Sequence, residues 1–458
     1  MKQNITLLFT LLFIGLNMGF SQDNEEDMVT MSLINDYAKA KNYDAAYKPF
    51  MELRQRNPKY NRAIFVYGES ILLDKIEKSS GAEKVAFIND LVKMWDERAV
   101  HFPGNNTAQG TPKGQFLAKG CQLMYDHKDI LGKTDLELYD CFDAAYNADK
   151  ETFTDPKALY TYFSLMVDLY DAKAKPAEDL FNKYDDIVEK IEVEVKDSSE
   201  KLNVLIEKEA AGTALAGREG QFKDFYERNL ANYDLISAGI DQKLGERANC
   251  ENLVPLYEKG FEQNKGNALW LQRAAGKMSE KECTDSPLYF KIVNAYHELS
   301  PSARSAYFLG ILKDKENKPN EAIEFYEQAI SLQTDNFEKA KLYSLIGSKL
   351  KAKGRYAQAR GYYRNALKFN PSNLNPHLLI AAMYAASAND CGDSLFNKKA
   401  VYWLAAEEAR KAGGAGAKYV DSYLDRAPSK PEIFSASNEG QTINIGCWIG
   451  ASVTVPKL

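Results

Sequence analysis

Four histidines are all that this 458-residue chain carries. His101, His127, His297 and His377 are scattered, and no H-E-x-x-H pair sets two imidazoles on one helical face. The glycine fingerprints of phosphate and nucleophile chemistry are also missing: there is no G-x-G-x-x-G, no G-x-x-x-x-G-K-[ST] and no G-x-S-x-G. Gly413-Gly414-Ala415-Gly416 ends a helical stretch instead of opening one, so it is in the wrong place to cradle a phosphate. None of the six cysteines has C-x-x-C spacing, which removes the usual redox and zinc motifs. Carboxylate pairs such as Glu407-Glu408 stand on charged helix faces. The sequence therefore predicts no catalytic residue, no metal ligand and no cofactor, and a chain that is not an enzyme.

Charge of one sign is scarce as well. The formal net charge is only −6, mild for this length, which argues against nucleic acid as a partner. Long apolar runs are confined to the start, MKQNITLLFTLLFIGLNMGFSQ. One lysine, an apolar run from Ile5 to Leu16 and small residues before a cut between Ser21 and Gln22 read as a secretory signal. A membrane anchor is the alternative, but the run is short against the roughly 20 residues of a span. No cysteine near the cut offers a site for an acylated lipoprotein N-terminus. The expectation is an exported mature chain that does not span the membrane. Losing residues 1–21 removes Lys2 and takes the charge from −6 to −7.

What the chain does have is helical periodicity. In Ala340 to Pro371, Leu342, Leu345, Ile346 and Leu350 mark one apolar face, the chain breaks at Lys353-Gly354-Arg355, and Tyr356, Ala359, Tyr363, Ala366 and Leu367 mark a second. Small residues at Gly347, Ala359 and Ala366 allow close approach, and Tyr363 fills the gap. This stretch resembles the tetratricopeptide (TPR) repeat, with Ile346, Gly347, Leu350, Gly354, Tyr356, Ala359, Tyr363, Ala366 and Pro371 on that family's consensus positions. Leu309, Gly310, Ala322, Tyr326 and Ala329 repeat the pattern 37 residues earlier, a three-residue insertion away from the family period. A hairpin of this kind cannot bury its apolar face alone, so neighbours are required. Leu33, Tyr37, Tyr43, Ala46, Phe50 and Pro58 supply one near the start. Most of the 27 tyrosines and 22 phenylalanines are then wedges between hairpins before they are a binding patch.

Between Ala177 and Ala211 there is neither proline nor glycine, and a second long run covers Gln221 to Leu244. Together they predict a long antiparallel hairpin, either a partner-binding arm or an oversized repeat packed on its neighbours. From IFSASNEGQ onward helical periodicity is lost, and two short strands are expected over Gln441–Ile449 and Ser452–Val455. An isolated hairpin is marginal in water, so this tail must dock. Six cysteines permit 15 pairings. Cys250 and Cys283 lie 33 residues apart, close to one TPR period, which favours that pair. Cys391–Cys447 and Cys121–Cys141 are the remaining choices, with buried free thiols as the alternative.

The run from Cys250 through the two repeats, the SANDCG loop, the KKAVYW helix and the terminal GQTINIGCWIGASVTV is similar to a group of exported TPR proteins of the Bacteroidota cell envelope. That resemblance implies a periplasmic or outer-membrane-associated protein and carries no established activity or ligand. The fold expected is all-α, a TPR-type α-solenoid with a long central helical hairpin and a short β-hairpin-like tail. Its parts are a signal at 1–21, TPR-like repeats at 22–130, repeats with the long hairpin at 131–249, C-terminal TPR repeats at 250–415 and the docked tail at 416–458. The function expected is a non-enzymatic scaffold that binds envelope or outer-membrane proteins through the solenoid groove, the hairpin or the tail. A periplasmic chaperone or assembly factor for outer-membrane proteins is the alternative. An enzyme or a glycan- or small-ligand-binding protein is the third reading.

Overall fold

Small polar residues decide where the helices start. Asn42, Asp155, Asn249, Asn267, Asp335 and Ser394 each accept a hydrogen bond from a backbone N–H in the first turn that follows, satisfying donors that have no intrahelical partner. Thr134 with Glu137, Ser302 with Ser305 and Ser429 with Glu432 do so reciprocally. A computed structural model describes residues 25–105 and 110–458. The leader with its Ser21/Gln22 cut lies outside the described residues. Helices make up 76% of the structure, and the strands form one two-stranded sheet among the described residues, so the class is all-α. No described helix is long and apolar enough to cross a membrane.

The chain divides into two units. The first, up to Ile187 with Ala238–Lys243, holds α1 (residues 25–39), α2 (Tyr43–Arg56), α3 (Ala63–Lys78), α4 (Gly81–His101), α5 (Lys113–Asp126), α6 (Lys128–Leu131), α7 (Asp135–Ala148) and α8 (Pro156–Asp171). It also holds the base of a long pair, α9 (Ala177–Ala210) and α10 (Glu219–Leu244). Its N-terminal core is built on Ile34, Phe50, Phe65, Leu72, Leu91 and Met94. A Cβ on Gly68 would stand 2.4 Å from the Phe50 ring and 2.8 Å from Met94 Sδ, so α2 and α4 close on α3 only because that position has no side chain. A disulfide joins Cys121 on α5 to Cys141 on α7.

The second unit takes the distal part of the long pair, Val188–Ser237, and everything from Leu244. It continues with α11 (Cys250–Asn264), α12 (Ala268–Glu280), α13 (Pro287–Leu299), α14 (Ala303–Lys315), α15 (Pro319–Leu332), α16 (Asn336–Ala352) and α17 (Tyr356–Phe369). The closing elements are α18 (Asn375–Ala386), α19 (Ala388–Cys391), α20 (Leu395–Arg410), α21 (Ala417–Leu424), α22 (Lys430–Ala436), β1 (Thr442–Ile445) and β2 (Ala451–Thr454). Helices α14/α15 and α16/α17 pack as hairpins, and α18 packs on α20. Disulfides link Cys250 to Cys283 and Cys391 to Cys447. Three bridges are compatible with an exported protein.

The tail departs from the sequence expectation in two ways. Residues 417–424 and 430–436 are helical; the capping pair Ser429/Glu432 with Pro431 in the first turn starts α22, and seven residues are too few to display a period. The first strand stops at Ile445 instead of Ile449. Gly446 to Gly450 turn there, with Cys447 at φ +51° and Gly450 at +54° and the Gly450 N–H donating to the Gly446 carbonyl. Strands β1 and β2 pair antiparallel, Ile443 opposite Val453. They turn Ile445, Val453 and the adjoining Val455, with Ile449, into the core over α20.

Candidate functional site

In each of the two regular hairpins a glycine on the first helix receives the ring of a tyrosine on the second. A Cβ on Gly310 would meet Tyr326 Cε1 at 2.4 Å, and one on Gly347 would meet Tyr363 Cε1 at 2.9 Å. The Tyr326 hydroxyl donates to Asp314 and that of Tyr363 lies 3.1 Å from Ser348 Oγ, so the ring is buried without orphaning its polar end. Burial and the neighbouring Asp314 charge push the Tyr326 hydroxyl far above its ordinary value. Leu309, Ala322, Ala329, Ile346, Leu350, Ala359 and Ala366 are all in the core. Gly354 turns the second hairpin at φ +70°, and Pro371 follows the end of α17. Tyr356 is placed differently: it is half-buried and faces the tail.

The distal half of α9 is held by α12, by α16 and by the residues that follow α17. Arg273 on α12 forks onto both oxygens of Glu189, at 2.8 and 2.7 Å. Lys341 on α16 reaches Glu192 at 2.5 Å. Arg273 and Lys341 stand on first helices with α14 between them, yet they meet α9 within a single turn. The first helices therefore curve around α9, which lies in their hollow. Farther along, Lys196 pairs with Asp335 at the start of α16. Asn203 donates to Asn370 at 3.1 Å and accepts from the Ser372 N–H at 3.0 Å. Burial pushes the Asp335 carboxyl up, but the bonds from Lys196 and from the Glu338 N–H outweigh it and hold the group below its ordinary value.

These four anchors fall on one stripe of α9. Glu189, Glu192, Lys196 and Asn203 follow the three-and-four spacing of a single helical face. Leu205, buried, falls on the opposite side, and the buried Ile191 and Leu202 lie between it and the stripe. Ser198 is on the side of Leu205, and its hydroxyl accepts from Asn229 of α10 at 2.9 Å. So α9 turns its apolar side to its hairpin partner and its charged side to the repeats. The four charged side chains of the two Glu pairs are 21 to 43% exposed; pairs that open are worth roughly 0–1 kcal/mol each. Of the two sequence readings of the hairpin, the structure gives the one packed on its neighbours. The heptad spacing of Glu189, Glu192, Lys196 and Asn203 puts them on one side of α9, but nothing in the sequence says what meets that side.

A second constellation fixes the tail, and sequence reasoning did not find its main residue. Trp448 lies 5.5 Å from both Tyr356 of α17 and Tyr384 of α18, centroid to centroid. Arg360 holds its guanidinium 5.2 Å from the Trp448 ring and donates to the carbonyls of Ile449 and Trp448. The indole N–H donates to Ser387 at 2.9 Å. The Cys391–Cys447 bridge closes the same contact. Neither Arg360 nor Ser387 belongs to a repeat pattern, so only the Cys447-Trp448 segment was visible beforehand.

The four histidines stand apart. His297 bonds Ser305, whose hydroxyl already accepts from the Ser302 N–H in the cap of α14; His377 bonds Glu408; burial and the charge of Lys84 lower the pKa of His127; and His101 packs by Phe65. Among the described residues no group of three or more His, Cys, Asp or Glu side chains is placed to hold a metal ion.

No curated protein matches the sequence. Among solved structures the chain is similar to the APC/C hetero-tetramer Cut9–Hcn1, at 10% identity over 87% of this chain and 96% of that chain, with a TM-score of 0.29. It is also similar to a tetratricopeptide repeat protein from Parabacteroides merdae (9% identity, 69% and 97% covered, TM-score 0.24). Yeast Tom70 is a third (13% identity, 90% and 83% covered, TM-score 0.24). Residues 303–336, which contain the hairpin α14/α15, and 340–373, which cover the hairpin α16/α17 except the first turn of α16, each match the tetratricopeptide repeat family, and these two hairpins are tetratricopeptide repeats.

Proposed function

We propose that the chain is a non-enzymatic scaffold of the periplasm or outer-membrane periphery, mediating protein–protein interactions in envelope complexes. The observation that carries this reading is α9 in the hollow of the repeats: the first helices present side chains that grip another helix by charge and hydrogen bonding. Repeat arrays extend such surfaces by stacking units. The leader read from the sequence and the three disulfides support the address, and the resemblance to envelope proteins supports the partner class. The experiment is in-cell crosslinking followed by purification of the mature chain under denaturing conditions. Recovery of a fixed set of envelope proteins is expected; recovery of none overturns the reading.

The alternative, a chaperone or assembly factor for outer-membrane proteins, has one observation in its favour. Phe222 and Phe225, one turn apart on α10, are 50 and 53% exposed, an apolar patch that could hold apolar clients. This reading predicts that the purified chain suppresses aggregation of an unfolded barrel protein and that Phe222→Ser/Phe225→Ser abolishes the effect. Equal suppression by the variant removes that support.

A further inference from the structure

We infer that the hollow formed by α12, α14 and α16 is a docking site for an acidic amphipathic helix, and that α9 is its occupant in cis, closing the site until the distal hairpin lets go. The inference rests on the reading of the chain as a docking scaffold and specifies the partner by its charge.

The first helices offer a basic residue each: Arg273 on α12, Arg304 on α14 and Lys341 on α16. Glu189 and Glu192 answer the outer two. The middle one takes part in neither pair: its guanidinium lies 5.6 Å from the Phe308 ring centroid, and its Nε–H is shielded from solvent with no hydrogen-bond partner among the described residues, a cost that a carboxylate brought to it would reduce. A helix with acidic residues one turn apart answers Arg273 and Lys341 as α9 does, and one more carboxylate in reach of Arg304 would add to that match. The contact is also built for exchange. Leu205 and Ser198, which accepts from Asn229 of α10, lie opposite the stripe that meets the repeats, so that side of α9 can stay on α10 when the charged contacts open. The Asn203 contacts to Asn370 and Ser372 set the far end of the register. Attraction between half-exposed charges weakens as salt shortens its range, and the same screening governs any incoming acidic helix.

The test uses the full chain and a labelled peptide of residues 188–210. Glu189→Lys/Glu192→Lys in the protein repels α9 from Arg273 and Lys341 while leaving the repeat side intact. Backbone exchange across residues 188–210 should rise about tenfold, since a loss near 1.4 kcal/mol is a factor of ten. The peptide should bind this variant, not bind the wild type, and lose binding when salt is raised to about 1 M, where screening acts within roughly 3 Å. A peptide carrying the same two lysines should bind neither protein. Because the reversed variant could misfold, the swap Glu192→Lys/Lys341→Glu serves as the second arm; it rebuilds the pair and should restore wild-type exchange. Unchanged exchange in the first variant, binding of both peptides alike, or failure of the swap to restore protection overturns the inference. None of these outcomes depends on an envelope partner being found, so a failed crosslinking experiment would sink the scaffold reading separately.

Discussion

Arg360 and Trp448 lock the tail to the repeats through two kinds of contact at once. The guanidinium stacks beside the indole, 5.2 Å from its centroid, and donates to the Trp448 carbonyl at 3.1 Å and the Ile449 carbonyl at 2.6 Å. A planar, multi-donor cation is needed for both, and lysine has no such fork. Arg360→Ala should loosen the tail by about 2 kcal/mol, the range of hydrogen bonds to a charged group. Amide exchange over residues 442–455 in the oxidised protein reads it directly. Arg360→Lys should recover less than half. If alanine leaves tail exchange unchanged, the disulfide and the apolar contacts of Ile445, Val453 and Val455 hold the tail without the clamp.

Three glycines in similar helices should respond differently to alanine. Gly310→Ala drives a methyl to 2.4 Å from Tyr326 and 3.1 Å from the Ala322 carbonyl oxygen; Gly347→Ala comes no nearer to Tyr363 than 2.9 Å; Gly361, on the open face of α17, has nothing within 4 Å. Overpacking of a buried contact costs roughly 1–3 kcal/mol, while alanine in an exposed helix interior gains up to about 1 kcal/mol over glycine. The expected order of thermal stability is Gly361→Ala above wild type, then Gly347→Ala, then Gly310→Ala. A Gly310→Ala protein as stable as wild type would mean that Tyr326 can leave its seat at little cost.

The contrast between these sites also explains what could be read from the sequence. Gly310, Gly347, Tyr326 and Tyr363 recur because their partners are local: glycine and tyrosine lie sixteen residues apart in each hairpin, so the pattern repeats with the fold. The length of α9 was legible for the same local reason, the absence of proline and glycine from Ala177 to Ala211. Its seat in the hollow was not, because Lys341 lies 149 residues from Glu192 and no periodicity connects them. Arg360 and Trp448 are 88 residues apart and were hidden likewise. The helices α21 and α22 were missed for the opposite reason: eight and seven residues are too short to show an amphipathic period against a β-branched tail.

In the first unit, Lys183 is enclosed by tyrosines. Its ammonium lies 4.5 Å from the Tyr162 ring centroid and under 6 Å from those of Tyr139 and Tyr146, pairs with Asp143 at 2.9 Å and bonds the Tyr162 hydroxyl. Burial works to raise the Asp143 carboxyl, but hydrogen bonds from Tyr162 and Lys183 win and hold it below 3.8. Lys183→Ala should cost roughly 1–3 kcal/mol, less than breaking a fully buried pair, because the Asp143 side chain is 37% exposed and can rehydrate. Lys183→Met fills the cage and should cost less. In both variants the Asp143 carboxyl should titrate at a higher pH, which side-chain NMR would follow. An unmoved titration would show that the Tyr162 hydroxyl alone sets it.

The last unit should be sensitive to acid through Glu408. This carboxyl on α20 is buried, with 7% of its side chain exposed, and burial pushes its pKa up. The hydrogen bonds from His377 at 2.7 Å and Lys411 at 2.6 Å, with the charge of both partners, outweigh that and leave it below 4.5. A carboxyl whose folded pKa lies below its unfolded value binds fewer protons when folded. The stability it contributes is therefore complete above about pH 4.5 and is lost as the pH falls through the depressed value. Glu408→Gln keeps the shape, lacks the charge and should flatten this part of the stability curve, while lowering stability at neutral pH. Urea melts of both proteins between neutral and acid pH provide the comparison. Parallel curves would place the acid sensitivity elsewhere, with Asp143 and Asp335 as the next carboxyls to replace.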